Sequence, residues 1–198
     1  GDDIMDRAGF FAPIGEISTV DDITGSEYTS GASRITDVAI GPNETWSIID
    51  ETRGRTFTYD RSGNLLFAFG DLGTQIGALE YIAAITYRGD ELLILDKNMS
   101  NITVYKRTEY GDLLLSAVGL TNDRDYTGAS ELWEDVLQRN NNFDAAYIQI
   151  GKSLYRQGQY EESMEYFKAA NETVNYSDAY KEIRKEWANR FFWIVPII

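Results

Sequence analysis

The sequence predicts a β-then-α protein, in which a strand-rich N-terminal half is followed by an array of helical hairpins. Two observations support this fold class. Up to about residue 106, short runs of β-branched and aromatic residues alternate with turn sequences, and the pattern recurs after 46 residues. Beyond that point the apolar residues have helical spacing, and the pattern recurs after 34 residues. We therefore expect both halves to be built from repeated units.

Four strands are predicted in the first copy of the β repeat, at residues 35–40, 45–50, 55–60 and 65–69. They are separated by Gly-Pro-Asn, Thr-Arg-Gly and Arg-Ser-Gly, which are turn signals at the spacing of an antiparallel meander. The first copy is therefore expected to form one four-stranded sheet.

The second copy is recognised by its matches to two of these strands. Residues 92–96 match residues 46–50, and residues 101–105 match residues 55–59. Shortly after Lys106 the chain enters the first predicted helix, so the second copy lacks a run for its outer strand.

The helical repeat carries small residues at two fixed places and an aromatic residue four positions after the second. Small residues let the two helices of a hairpin approach closely, so this region resembles two tetratricopeptide (TPR) repeats, at residues 109–176. The helices are predicted at residues 112–121, 127–139, 143–156 and 160–172. The 34-residue shift pairs Ala117 with Gly151, Ala129 with Ser163 and Trp133 with Phe167.

Charge and composition narrow the possible functions. The net charge of −14 argues against a nucleic-acid partner, because a phosphate backbone is neutralised by Lys and Arg. The chain has no histidine, which removes His-dependent catalytic triads and His–metal clusters. It also has no cysteine, so disulfides and thiolate metal sites do not arise. We expect no cofactor and no metal.

The order of elements in the β repeat resembles the blades of NHL-type β-propellers. In that family one strand ends in Asp and the last strand closes in Phe-Gly, as at Asp50 and at Phe69-Gly70. Propellers typically have about four to eight blades, so two four-stranded blades cannot close a ring. We therefore expect a partial propeller at residues 1–108, the C-terminal piece of a larger one. The alternative is a small, open sheet that packs directly on the helices.

The remaining N-terminal residues fit this interpretation. Residues 4–11 and 14–20 look like the remains of an earlier blade, and residues 21–32 form a polar loop sequence. Edge strands left open by the missing blades would be covered by swapping, by a homodimer or by the N-terminal segment.

The chain as a whole resembles a group of bacterial membrane proteins. These carry an NHL-type propeller, then a TPR pair, then a multi-spanning membrane domain. The resemblance implies this domain order and a membrane setting, and no enzymatic activity. The motifs that carry it lie at residues 9–15, 55–60, 63–67, 95–97, 101–105, 108–111, 150–152 and 156–158.

Residues 177–198 are predicted to form a capping helix and the start of a membrane-proximal segment. Ser177 and Asp178 resemble a helix start, and the run after Arg190 is wholly apolar. This run is too short to span a bilayer, but it resembles the start of a membrane helix; the alternative is a tail folded back on the body. We expect the folded part to be extracytoplasmic, although the sequence does not fix the side. The apolar stripe of the helix is Tyr180, Ile183, Trp187 and Phe191.

The predicted function is that of a non-catalytic scaffold that binds a protein or peptide beside a membrane. In TPR proteins the inner face of each first helix lines a groove, and a groove of apolar and charged residues suits an extended peptide. The alternative is that the helices only connect the propeller to the membrane. By repeat position the groove residues are Leu114, Val118, Thr121, Ile148, Lys152 and Tyr155, with Glu182 and Glu186 from the capping helix.

The alternative function is that of a propeller hydrolase of the lactonase type, whose metal site would lie in missing blades. Asp37 and Glu80, near the starts of inner strands, are the nearest candidate ligands. Asp50 and Asp96 occupy equivalent repeat positions at strand ends, where we expect them to accept hydrogen bonds from turn N–H groups.

Overall fold

The fold was described from a computed structural model, which describes residues 33–70, 72–73 and 78–191. The chain divides into two compact units between Thr108 and Glu109. Among the described residues, two antiparallel sheets lie in the first unit and five α-helices in the second, which confirms the β-then-α order. The predictions made for residues 4–32 and for the apolar run 192–198 lie outside the described residues.

The first sheet, sheet 1, is a four-stranded meander in which each strand pairs antiparallel with the next one along the chain. The first and last strands have the predicted bounds. The second begins one residue later than predicted and the third ends one residue earlier. The strands are β1 (Ile35–Ile40), β2 (Trp46–Asp50), β3 (Arg55–Tyr59) and β4 (Leu65–Phe69).

The second sheet, sheet 2, has three strands among the described residues, which corrects the prediction of two four-stranded blades and confirms that a run for the outer strand of the second copy is lacking. The physical reason is the connection to the helices: residues 106–108 alone separate the last strand from the first helix. The strands are β5 (Ile82–Arg88), β6 (Glu91–Asp96) and β7 (Asn101–Tyr105).

The two sheets are structural repeats of each other, down to their irregularities. In sheet 1 the register shifts after Ile35, which pairs with Asp50. In sheet 2 it shifts after Ile82, which pairs with Asp96. A β-bulge at the same place in both sheets shows that the 46-residue sequence repeat is also a repeat of backbone geometry.

One face of sheet 1 packs on one face of sheet 2. The rings of Phe69 and Tyr105 lie 5.0 Å apart at the rim of this core. Polar contacts also cross it, since the hydroxyl oxygens of Ser47 and Tyr87 lie 2.7 Å apart. The buried core residues are Ala39, Ile49, Leu79, Ile82, Ile85, Leu92 and Ile94.

In the second unit each helix packs on the next one along the chain. The four helices predicted from the 34-residue repeat are all present. The first begins at Glu109 rather than residue 112, and the fourth ends at Ala169 rather than residue 172. The helices are α1 (Glu109–Asn122), α2 (Tyr126–Arg139), α3 (Asp144–Arg156), α4 (Tyr160–Ala169) and α5 (Thr173–Phe191).

The small residues of the helical repeat lie where helices come closest. Ala117, Ala129 and Ser163 are fully buried. A Cβ atom added at Gly151 would lie 2.6 Å from Cε1 of Phe167, so only glycine fits this contact between α3 and α4. The packing therefore explains why small residues occur at these repeat positions.

The two equivalent aromatic residues of the repeat, Trp133 and Phe167, are buried. The indole Nε1 of Trp133 donates a hydrogen bond to Oγ1 of Thr121 at 3.1 Å. Trp133 therefore gives the α1–α2 hairpin a large apolar contact without leaving its buried indole N–H unpaired.

Helix α5 differs from the prediction in its start and in its orientation. It begins at Thr173 rather than near residue 177, and it packs on α4 through the buried Ala179. Tyr180 is 50% exposed and Trp187 is 65% exposed, whereas Ile183 and Phe191 are half-buried, so only part of the predicted stripe can cover the last hairpin. Ala179, rather than an aromatic residue of the stripe, is the fully buried residue of α5.

Within the described ranges no helix is both long and apolar enough to cross a membrane.

Candidate functional site

The strand-end carboxylates hold turns together, as the sequence predicted. Oδ1 of Asp50 accepts hydrogen bonds from the backbone N–H groups of Thr52 at 3.0 Å and of Arg34 at 3.1 Å. Asp96 accepts equivalent bonds from the backbone of Met99 at 2.9 Å and of Glu80 at 2.6 Å. Both carboxylates are buried, and each fixes the turn that follows its strand.

These hydrogen bonds lower the pKa of the Asp96 carboxyl. Burial acts to raise the pKa of this carboxyl, but the backbone N–H groups of Met99, Glu80 and Tyr81 outweigh burial, so the pKa lies below its ordinary value. Asp96 therefore stays ionised in the fold as a structural anion.

The two acids considered as metal ligands have separate positions. Oδ2 of Asp37 accepts a hydrogen bond from the backbone N–H of Ile85 at 2.9 Å, which ties β1 to β5. Glu80 is exposed, just before β5. In the part of the chain that the structure describes, no three acidic side chains are grouped as metal ligands would be.

Three of the predicted groove residues, all on α1, do not form an open surface. Leu114 and Val118 are buried and belong to the core, which corrects the prediction that they line a groove. Thr121 is engaged in packing, because its hydroxyl donates to the carbonyl of Ala117 at 2.8 Å and accepts from Trp133.

The other five predicted residues do reach the surface. Ile148, Lys152 and Tyr155 are half-buried, and their spacing of four and three residues places them on one face of α3. On α5, Glu182 is half-buried and Glu186 is exposed one turn further on. These side chains offer apolar, positive and negative groups that solvent can reach.

Around Tyr155 the structure brings three helices together in what we call the Tyr155 cluster: Tyr155 on α3, Tyr160 on α4, and Glu182 and Lys185 on α5. The two tyrosine rings meet edge to face, with centroids 5.3 Å apart. Nζ of Lys185 donates to Oε1 of Glu182 at 2.5 Å.

The charges of the Tyr155 cluster are coupled. The hydrogen bond and charge of Glu182 raise the pKa of Lys185 above its ordinary value, although desolvation opposes this, and Tyr155 and Tyr160 add to the rise. The ion pair with Glu182 therefore stabilises the charged form of Lys185, which lies within electrostatic range of Tyr155 and Tyr160.

Sequence reasoning missed Tyr160 and Lys185. The predicted groove was drawn from the first helix of each hairpin and from the capping helix, whereas Tyr160 begins the second helix of its repeat. A signal was present at Lys185, because it lies three residues after Glu182, at the spacing of a helical ion pair.

The Tyr155 cluster offers groups for non-covalent contact with a ligand. Tyrosine rings give a rigid apolar contact with polar tips, and the flanking charges of both signs can pair with a ligand's side chains. No protein-family model matches this chain, and a search of curated proteins finds no similar sequence.

Proposed function

We propose that this chain is a non-catalytic scaffold that binds an extended peptide or protein segment on its helical unit, beside a membrane. The observation that carries the proposal is the edge-to-face pair of Tyr155 and Tyr160, within electrostatic range of the Glu182–Lys185 ion pair on α5. Together with Ile148 and the other predicted surface residues of α3 and α5, the cluster mixes apolar and charged side chains. Interfaces whose centre is aromatic and whose rim is charged are typical of peptide and protein recognition.

The surface also suggests the chemistry of the ligand. Glu182 and Glu186 favour a basic residue in the bound segment, and Lys152 favours an acidic one. Ile148 and Tyr155 favour an apolar side chain between them. The expected ligand is therefore a segment with charges of both signs on either side of an apolar residue.

The test is selection of binders from a displayed library of random peptides, followed by affinity measurement on purified variants. We expect Tyr155→Ala to weaken binding of a selected peptide about tenfold or more, as loss of an aromatic anchor does. Lys152→Glu is expected to shift the selected sequences toward basic residues.

Tyr180→Ala is the matched control for Tyr155→Ala. It removes an exposed tyrosine from α5 at a position two residues before Glu182, on another side of the helix. Equal affinity of the wild type and the Tyr155 variant for every selected peptide would contradict the proposal, as would the absence of any selected peptide.

The membrane part of the proposal is supported by the aromatic residues of α5, of which Tyr180 and Trp187 are exposed and Phe191 is half-buried. Trp187 and Phe191 have ring centroids 4.3 Å apart, and the guanidinium of Arg184 lies 5.9 Å from the ring centroid of Tyr180. Trp and Tyr favour the interface between lipid headgroups and acyl chains, and Arg pairs with phosphate there. The apolar sequence after Arg190 continues this chemistry.

Co-sedimentation with phosphatidylcholine vesicles, with and without phosphatidylglycerol, tests this part separately. We expect Trp187→Ala to lower the partition coefficient about fivefold, which corresponds to about 1 kcal/mol. Val174→Ala is the control, since Val174 is an exposed apolar residue near the other end of α5. Identical sedimentation of the wild type and the Trp187 variant would remove α5 from the membrane interface.

A further inference from the structure

Each sheet of the first unit has two faces, and the repeat shows which faces correspond. In sheet 1, face A is the side that carries Ala39 and Ile49. In sheet 2, face A is the side that carries the repeat positions equivalent to these two residues. Face B is the opposite side of each sheet. In the chain, face A of sheet 1 packs on face B of sheet 2. The core contact is therefore made between two different faces.

Face A of sheet 2 has no partner sheet among the described residues, yet it is strongly apolar. The strand pairing places Leu93 opposite Val104 and Leu95 opposite Ile102 on this face. Leu95, Ile102 and Val104 are exposed, and Ile102 has 59% of its surface open to solvent. By itself this would be an unusual surface for β-strands facing water.

Comparison with the packed face A of sheet 1 makes the apolar character clearer. Sheet 1 carries hydroxyl groups there, and Ser47 and Thr58 share a hydrogen bond of 2.7 Å. In sheet 2 the equivalent positions are Leu93 and Val104. Face A of sheet 2 is thus more apolar than the face that is already buried in the core.

The opposite end of the stack exposes the complementary face. On face B of sheet 1, Val38 and Ile40 are exposed, and Ile40 is 75% open to solvent. They are the repeat equivalents of Ile85 and Tyr87, which pack in the core. Phe57, further out on face B, is buried, so the open part of this face is the part formed by β1 and β2.

The exposed part of face B, on β1 and β2, corresponds to the strands that pack in the contact between the two sheets of one chain. In the core between the sheets, the first strand of sheet 2, β5, packs on β1 and β2 of sheet 1. By equivalence, β1 of one molecule would pack on β5 and β6 of another. Each chain therefore exposes both halves of a contact that it already makes once internally.

We propose that copies of this chain associate head to tail, with face A of sheet 2 in one copy packed on face B of sheet 1 in the next. Such a contact joins two different surfaces and leaves one of each free at the ends, so it grows until a ring closes. Rings of stacked sheets hold about four to eight sheets, and each copy supplies two, so two to four copies would close one.

The test uses one charged substitution on each face of the full chain. Ile102→Lys blocks face A of sheet 2 and Ile40→Lys blocks face B of sheet 1; both positions are exposed, so neither change disturbs the core. We expect light scattering coupled to size exclusion to give two to four times the 22.4 kDa chain mass for the wild type and one chain mass for each variant.

Mixing the two variants is the decisive step. Ile40→Lys keeps an intact face A and Ile102→Lys keeps an intact face B, so an equimolar mixture should form a 1:1 dimer that grows no further. Val174→Lys, at an apolar residue of α5 that is 67% exposed, is the matched control and should assemble like the wild type.

Three outcomes would overturn the proposal. The first is a wild type that stays monomeric as its concentration is raised. The second is an Ile40→Lys variant that still dimerises alone, because this indicates a symmetric contact between like faces. The third is a mixture of the two variants that remains monomeric while the wild type assembles. Circular dichroism of each variant confirms that its fold is intact.

Discussion

Gly151 shows at the scale of one residue how the sequence repeat follows from packing. In an exposed helix, replacing glycine with alanine stabilises by about 1 kcal/mol, because glycine loses more backbone entropy on folding. At this position the gain is opposed by the ring of Phe167, which would lie 2.6 Å from the new Cβ atom. The steric term is the larger one, since a ring buried between α3 and α4 has little room to move.

We therefore predict that Gly151→Ala lowers the free energy of unfolding by about 1–3 kcal/mol, the usual cost of overpacking. The measurement is chemical denaturation of single and double variants. In combination with Phe167→Leu, which opens space at the contact, the Gly151→Ala substitution should cost clearly less. Additive effects of the two substitutions would show that they do not share a contact.

The acidity of Asp96 gives a second prediction at this scale. Its pKa is lower in the folded state than the ordinary value, so the unfolded state binds more protons near that pH. Its contribution is present above the unfolded pKa of about 3.9 and is lost as the pH falls toward the folded pKa. Stability should therefore fall as the pH drops through about 4.

We expect Asp96→Asn to lower the free energy of unfolding near pH 7 by about 1–3 kcal/mol, because an amide cannot satisfy all of the N–H groups around it. The difference from the wild type should shrink on acidification. Asp123→Asn, at an exposed turn residue, serves as the control. A difference that stays constant from pH 7 to pH 3 would contradict this role for the carboxylate.

Among the elements, the helices of the 34-residue repeat were the most predictable part. Their repeat positions fix which side chains are buried: Trp133 and Phe167 are equivalent in sequence and both are buried. The strands of sheet 1 were equally clear, because turn sequences separate them. The missing fourth strand of sheet 2 was also visible, since the chain enters α1 so soon after Tyr105.

The orientation of α5 could not be predicted in the same way. The sequence shows a stripe from Tyr180 to Phe191, but a stripe does not say whether it faces the protein. In the structure α5 packs on α4 with Ala179 buried, while Trp187 is exposed to solvent. The Tyr155 cluster was only partly predictable for a related reason: Tyr160 begins a second helix, which the predicted groove left out, and Lys185 is not at a predicted position of the capping helix.

The contrast between two tryptophans tests this description of the helices. We predict that Trp133→Ala and Phe167→Ala each lower the free energy of unfolding by about 3–5 kcal/mol, as truncation of a buried aromatic residue does. Trp187→Ala should change it by less than about 0.5 kcal/mol, because Trp187 is exposed. Losses below about 1 kcal/mol at both repeat positions would contradict the helical repeat register.

For the whole molecule, the central claim is that the chain contains two separately cored units, divided between Thr108 and Glu109. Each unit has its own buried set: Ile49 and Ile94 between the sheets, and Trp133 among the helices. The core of the first unit is formed by residues of the 46-residue repeat, and the core of the second unit by residues of the 34-residue repeat. The proposed peptide surface belongs to the second unit, and the faces proposed for head-to-tail association belong to the first.

Differential scanning calorimetry of the full chain tests this claim most directly. The account predicts two unfolding transitions, of which Ile94→Ala lowers only one and Trp133→Ala only the other, each by several degrees. Where the two transitions overlap, each variant separates them, because it lowers the melting temperature of one unit only. A single transition that both substitutions lower together would contradict the division into two units.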